Sequence, residues 1–260
     1  MFKIIKNLIM KSYYIWSRFI PSFYFSYRFA GGKIYLDIKE SRAMLARALN
    51  LYELDKYKAI KNFLPVDGVF IDVGANKGDF SLIAAKIVGD RGIVFSFEPE
   101  PENCGWIKKS IHLNGYKNIF LHQIALSNKN GSALFYLGKK TGWHTLLPDQ
   151  ERRNKKVIDV KVRTLDNLLK EKSFNKKIDM IKIDVEGSEM MVLQGAEEIL
   201  KANKDIVLLV DIHPRMGVIA EEVCQFLISL GFSIFQEKEP FNIPVKDYSA
   251  GLFTIIAKRV

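Results

Sequence analysis

The chain is predicted to be an α/β protein with a mostly parallel, seven-stranded twisted sheet, helices on both faces and an antiparallel strand at one edge. Three observations predict this. From residue 69 onward short apolar runs alternate with helical segments, the order that builds parallel strands joined by crossover helices. The first of these runs, Val69–Val73, enters a turn with glycines at 74 and 78 that opens a helix, as a strand-to-helix turn at the head of such a sheet does. The last two runs, 233–237 and 252–258, have no helix between them, which suggests an antiparallel hairpin at one edge.

In order, the strands are 69–73, 92–97, 118–125, 178–185, 206–212, 233–237 and 252–258, with helices over 78–88, 101–114, 188–202 and 221–230. Runs 132–137 and 157–162 read as extra strands around a polar loop, Gly138 to Lys156. Upstream, Pro21 closes a first helix, Gly31-Gly32 marks a turn, 33–38 alternates as a short strand, and Ser41 to Leu64 reads as a helix closed by Pro65. No repeat or Gly/Ser/Pro-rich linker splits the chain. It divides into an N-terminal basic and aromatic helical extension, 1–64, and one domain, 65–260.

The 260 residues are 48% hydrophobic and 26% charged, a globular balance able to bury a core without staples. Two cysteines, Cys104 and Cys224, make no disulfide framework and no zinc cluster, which points to a reducing, cytoplasmic setting. The net charge of +10 favours an anionic partner, and its distribution says which. Lys3, Lys6, Lys11, Arg18, Arg28 and Lys33 precede the first acid, Asp37. Ile4, Ile5, Leu8, Ile9, Ile15, Trp16, Phe19 and Ile20 recur among them at helical spacing. Interrupting basic residues exclude a transmembrane span and a signal peptide. A helix lying in the membrane interface fits, giving peripheral contact through residues 1–30; a helix docked on the domain is the plainer alternative.

In such sheets a ligand lies outside the carboxyl ends of the strands, beside strand one. Asp72-Val73-Gly74-Ala75-Asn76-Lys77-Gly78 stands there. Gly74 turns the chain and removes a Cβ where a ligand presses on the backbone, and Gly78 lets the helix pack closely. A dinucleotide site wants G-x-G-x-x-G, whose second glycine opens room for pyrophosphate; here that position is Asn76. A cofactor without phosphates but with an amino group and a sulfonium, near Asp72, fits better: S-adenosyl-L-methionine. Glu98, twenty-six positions beyond Asp72 at the end of strand two, can accept both ribose hydroxyl hydrogens. At the end of strand three, Gln123 is the favoured partner of the adenine edge.

At the reacting end, strand four reads Lys182-Ile183-Asp184-Val185-Glu186-Gly187. Lys182, Asp184 and Glu186 share one side, and buried strands seldom carry alternating charges without cause. Strand five ends Asp211-Ile212-His213-Pro214. Methyl transfer needs an acceptor oxygen held in line with the sulfonium carbon, and a base helps a weakly nucleophilic hydroxyl. His213, oriented by a carboxylate, is the first choice of base; Asp184 or Glu186 is second or holds the acceptor. A structural pairing of Lys182 with Asp184 or Glu186 is the plainer alternative. Asp184 and Asp211 could seat Mg²⁺, but two carboxylates and one histidine are too few, and no metal is assigned. The loop Gly142-Trp143-His144-Thr145 could form part of the acceptor pocket, with Trp143 offering a face to a ring; a packed surface aromatic is the plainer alternative.

The segments FIDVGANKGDFSLIAAK, VFSFEPEPEN, IALSNKNG, VRTLDNLL, IDMIKIDVEGSEMMVLQGAEEIL and DIHP together resemble the FkbM-type methyltransferases over about residues 66–215. The resemblance implies a Rossmann-like methyltransferase fold and O-methylation of a hydroxyl on a sugar, glycan or related small molecule. It carries cofactor roles onto Asp72, Gly74, Ala75, Asn76, Gly78 and Glu98. One departure stands at strand five, where Asp211 occupies a place at which Glu is expected. A nucleic-acid methyltransferase and a non-catalytic binder of the same fold are the competing readings. The concentration of positive charge in an apolar head argues against nucleic acid.

Overall fold

The computed structural model describes residues 24–29, 32–37, 53–138, 144–147, 156–248 and 253–260. The basic helix expected before Pro21, the helix expected from Ser41 as far as residue 52, and Trp143 lie outside them.

The described residues open on an antiparallel hairpin, β1 (Tyr24–Phe29) and β2 (Gly32–Asp37). The aromatic stretch before Gly31-Gly32, given no element from sequence, is thus the first strand of that hairpin. Helix α1 (Leu54–Phe63) follows. Then come β3 (Val69–Val73), α2 (Asp79–Val88), β4 (Ile93–Phe97), α3 (Pro101–Asn114) and β5 (Ile119–His122). A small sheet interrupts the alternation: β6 (Ala125–Leu126), β7 (Gly131–Tyr136) and β8 (Val157–Arg163), in the order β6-β8-β7. The second half runs α4 (Leu165–Glu171), β9 (Met180–Ile183), α5 (Glu189–Gln194), α6 (Glu197–Ala202), β10 (Val207–Ile212), α7 (Ala220–Ser229), β11 (Ser233–Gln236) and β12 (Phe253–Lys258).

The main sheet has seven strands in the order β11-β12-β10-β9-β3-β4-β5. Its strands are parallel except β12, which is antiparallel to both β10 and β11. The antiparallel pair expected at one end is therefore present, with β12 one place in from the rim. Strand order reverses between β3 and β9, which opens a crevice at their carboxyl ends.

Alternating side chains divide the core between the two faces, as the strand period of two demands. Ile71, Phe95, Ile181 and Leu208 pack with Leu168, Leu193 and Leu227 of α4, α5 and α7. Phe70, Val94, Met180 and Leu209 pack on the other side with Ile60, Ala84 and Ile34 of α1, α2 and β2. Part of the predicted N-terminal extension is thus integral to the second core. Lys33 and Asn114 also exchange hydrogen bonds, Lys33 N–H to Asn114 Oδ1 at 2.7 Å and Asn114 Nδ2 to the Lys33 carbonyl at 2.5 Å.

Two local departures from the sequence reading have clear causes. The helix expected over 188–202 is broken into α5 and α6. A Cβ at Gly195 would lie 2.0 Å from the Ser127 carbonyl, and Asp166 starts α6 afresh by accepting the Glu198 and Ile199 N–H groups at 3.1 and 3.0 Å. Helix α4, only seven residues long, is too short to show a period. Its signal is the cap, where Thr164 Oγ1 accepts the Asn167 N–H at 3.2 Å.

Candidate active site

A cavity of 510 Å³ opens at the strand-order reversal, lined from β3, β4, β9 and β10 together with α1, β12 and residues His144 and Leu146. Its size suits a small-molecule ligand.

The cofactor end is built by the turn after β3. Gly74 (φ +75) and Asn76 (φ +52) both take the left-handed conformation, and Gly74 and Ala75 donate their N–H groups to the Phe97 carbonyl at 3.0 Å each. A Cβ on Gly74 would sit 1.9 Å from the Asp184 carbonyl oxygen, so only glycine lets this turn approach β9. Gly78 (φ +86) packs against Ile107 at the start of α2. Glu98, 4% exposed, accepts the Asn76 N–H at 2.7 Å, the Glu100 N–H at 2.9 Å and Asn103 Nδ2 at 3.3 Å. Burial raises its carboxyl to about 7, against the hydrogen bonds of Glu100, Asn76 and Asn103, which favour the ionised form. Asn76, Glu98 and Asn103 all line the cavity, and Asn76 Oδ1 and Asn103 Oδ1 are buried without a hydrogen-bond partner. Buried oxygens of this kind are acceptors awaiting a donor, as a ribose diol would be.

Three expected cofactor residues, Asp72, Gly78 and Gln123, stand outside the cavity lining, with Gly78 facing Ile107. Asp72 is fully buried and does not line the cavity. Its Oδ1 lies 3.1 Å from Lys182 Nζ and its Oδ2 accepts the Ser81 hydroxyl at 2.6 Å, while Lys182 also donates to the Gly74 carbonyl at 2.9 Å. Asp72 therefore holds Lys182, and Lys182 holds the turn. Gln123 is exposed and outside the lining. Its neighbours Ile124, Ala125 and Leu126, with Phe135 and Leu146, form an apolar wall on that side instead.

At the other end the structure brings Asp184, Glu186 and His213 together. His213 Nε2 is 3.7 Å from Asp184 Oδ1 and 3.6 Å from Glu186 Oε1. The orienting carboxylate is Glu189, fully buried at the head of α5 and 2.6 Å from His213 Nδ1. Burial disfavours the charged imidazole, but the Glu189 hydrogen bond and the charges of Asp184, Glu186 and Glu189 outweigh it and raise His213 to about 9. At neutral pH the ring is an imidazolium, which donates a hydrogen bond and accepts no proton. Burial likewise opposes the charge of Asp184, yet Lys182, Lys56 and His213 hold its carboxyl well below the usual range. Strand β9 ends at Ile183, Glu186 (φ +51) lies in the turn that follows, and Thr145, fully buried, donates its hydroxyl to the Glu186 carbonyl at 2.7 Å.

Sequence reasoning missed several lining residues. Lys56 of α1 places Nζ 2.8 Å from Glu53, against Asp211, and 3.8 Å from Asp184. Thr254 of β12 donates to Asp211 as well. Lys182, for which a pairing with Asp184 or Glu186 was the plainer alternative, does reach Asp184 at 3.9 Å but lies closer to Asp72, at 3.1 Å. Of these, Lys182 and Asp211 stood in motifs; α1 and β12 reach the cavity by folding.

A family model described as the methyltransferase FkbM domain matches residues 72–234. Methyltransferase 1 of Beauveria bassiana is 25% identical over 225 residues, covering 79% of this chain and 86% of that protein. Methyltransferase sdnD of Sordaria araneosa is 29% identical over 163 residues, covering 52% and 62%. Among solved structures, a methyltransferase FkbM from Methylobacillus flagellatus is 17% identical with a TM-score of 0.49, covering 85% of this chain and 54% of its own. The matched residues contain the glycine turn, Glu98, the Asp184–Glu189 segment and His213, and the chain belongs to the FkbM methyltransferase family.

Proposed function

We propose that the protein transfers a methyl group from S-adenosyl-L-methionine to a hydroxyl of an uncharged acceptor, a sugar, glycan or related small molecule. The carrying observation is that one cavity has two polar ends, Glu98 with its turn and the Asp184–Glu186–His213 group. The donor, when bound, supplies an activated methyl carbon on sulfur. Glu98 accepts the ribose hydroxyls, Gly74 and Ala75 leave room for the methionine part, and the apolar wall of Ile124, Phe135 and Leu146 suits adenine. At the acceptor end His213 donates a hydrogen bond to the hydroxyl oxygen, while Asp184 or Glu186 accepts its proton as attack proceeds. His213 as base would first have to lose the proton that Glu189 holds on it.

The charge of the cavity supports an uncharged acceptor. Glu53, Asp55, Asp184, Glu186, Asp211 and Glu237 line that end, and Lys56 and Lys182 are already engaged by carboxylates. A phosphate backbone would meet these acids directly, so nucleic acid is a poor acceptor despite the net charge of +10. The test is transfer of radiolabelled methyl to a panel of sugars, glycans and RNA. Labelled RNA with unlabelled hydroxyl compounds would refute the reading. Residues 1–30 are proposed to give peripheral membrane contact; removal of residues 1–22 should abolish sedimentation with anionic vesicles, and unchanged sedimentation would reject it.

A further inference from the structure

Two groups of potential ligands adjoin the acceptor end, and they differ in one respect. Glu53, Asp184 and Asp211 converge, and the Lys56 ammonium already stands among them. Asp184, Glu186 and His213 converge as closely, each offering one atom within 4.8 Å of the others, and what faces the two carboxylates there is the His213 imidazole. Asp184 is divided between the two groups. Its Oδ2 faces Lys56 and Lys182 at 3.8 and 3.9 Å, and its Oδ1 faces His213 Nε2. The separations of His213 Nε2 from Asp184 and Glu186, 3.7 and 3.6 Å, exceed hydrogen-bond length. They leave a point between the three atoms within ligand reach of each.

Observations outside the triad point the same way. Glu189, fully buried, binds Nδ1 of His213 and so turns Nε2 toward the carboxylates. A carboxylate behind a ligating imidazole is the usual support of a metal-bound histidine. Ser188, 1% exposed, lines the cavity, and its Oγ has no hydrogen-bond partner. It is a buried hydroxyl at the same turn, suited to a coordinated water or to the acceptor itself.

We propose that Asp184 Oδ1, Glu186 Oε1 and His213 Nε2 bind a divalent cation, which displaces the Nε2 proton to solvent while Nδ1 keeps its hydrogen to Glu189, with manganese or magnesium favoured by two oxygen ligands and one imidazole. The proposal rests on the methyltransferase reading for its purpose: a cation there would bind the acceptor hydroxyl and make it more acidic. It replaces the hydrogen bond of His213 to the acceptor with coordination.

The experiment is titration of the full chain with Mn²⁺, followed by electron paramagnetic resonance, with S-adenosylhomocysteine affinity measured in parallel by calorimetry. One saturable site is expected, weakened at least about tenfold in Asp184→Asn, Glu186→Gln and His213→Ala. Glu189→Gln, which touches no cation, should weaken it about 10- to 100-fold. Glu186→Gln is the variant of record if the others fail to fold, with S-adenosylhomocysteine binding as the control for folding. No saturable site in the wild type, or a site unchanged in Glu186→Gln, overturns the proposal. Nucleoside binding without Mn²⁺ binding would overturn it while leaving the methyltransferase reading intact, and loss of nucleoside binding in the wild type would strike that reading instead.

Discussion

His213 Nδ1 stands 2.6 Å from Oε1 of Glu189, a carboxylate with no exposed surface. The pair ties the end of β10 to the head of α5 and fixes which ring nitrogen faces the cavity. Because His213 is raised from its ordinary 6.5 to about 9, its charged form stabilises the folded state. That contribution is complete below about pH 6.5 and is lost as pH rises through 9, on the order of 3 kcal/mol in all. Glu189→Gln keeps the shape and removes the charge. The His213 titration seen by NMR should fall by about one unit or more, and less stability should be lost in urea between pH 6 and 9. An unmoved titration would show that Glu189 does not set the state of the ring.

Glu98 predicts a pH dependence of a different origin. With its carboxyl raised to about 7 by burial, the group is partly protonated at neutrality, whereas accepting two ribose hydroxyls requires the anion. Affinity for S-adenosylhomocysteine should climb as pH rises through 7 and level off above about 8. Glu98→Gln should bind at least about tenfold more weakly and without that slope. A wild-type affinity flat from pH 6 to 8 would remove Glu98 from the nucleoside.

Gly74→Ala tests the close approach of the turn to β9. The added Cβ would lie 1.9 Å from the Asp184 carbonyl, at a φ of +75. Both strain and displacement follow, and a loss of about 2 kcal/mol or more is expected in denaturant unfolding, together with loss of nucleoside binding. Native stability in this variant would contradict the backbone geometry.

Lys182 and Asp72 are 4% and 0% exposed at their side chains and 3.1 Å apart. Lys182→Met leaves the Asp72 carboxylate buried with only the Ser81 hydroxyl, and should cost about 3–5 kcal/mol. Asp72→Asn in the same chain should recover part of that loss, a coupling that a double-mutant cycle measures. Additive losses would mean that the pair does not act as a unit.

The cofactor turn and the sheet were legible because they are local. Asp72 to Gly78 is continuous in sequence, the glycines mark the positive φ positions, and Glu98 falls at the next strand end. The partner of Asp72 was not legible. Lys182 is 110 positions away, and pairing it with Asp184 or Glu186 followed from spacing along one strand, whereas the parallel register sets Asp72 beside Lys182. Gln123 was placed by strand position alone, and the chain leaves the sheet after His122 to form β6, which turns Ile124 and Ala125 toward the cavity in its stead.

The sequence alone determined the alternation of strands and helices, the glycine turn and the acids at the strand ends, since each depends on residues within a few positions of one another. Tertiary structure decided which charges meet. Lys56 arrives from α1 and Thr254 from β12 to meet Asp211, and Thr145 from a loop to meet Glu186, each pairing distant in sequence. Glu189 is near His213 only because β10 lies beside β9. Burial, which raises Glu98 to about 7, and the enclosing carboxylates, which raise His213 to about 9, arise from that packing, because the strength of a charge interaction depends on separation and on exclusion of water rather than on order along the chain.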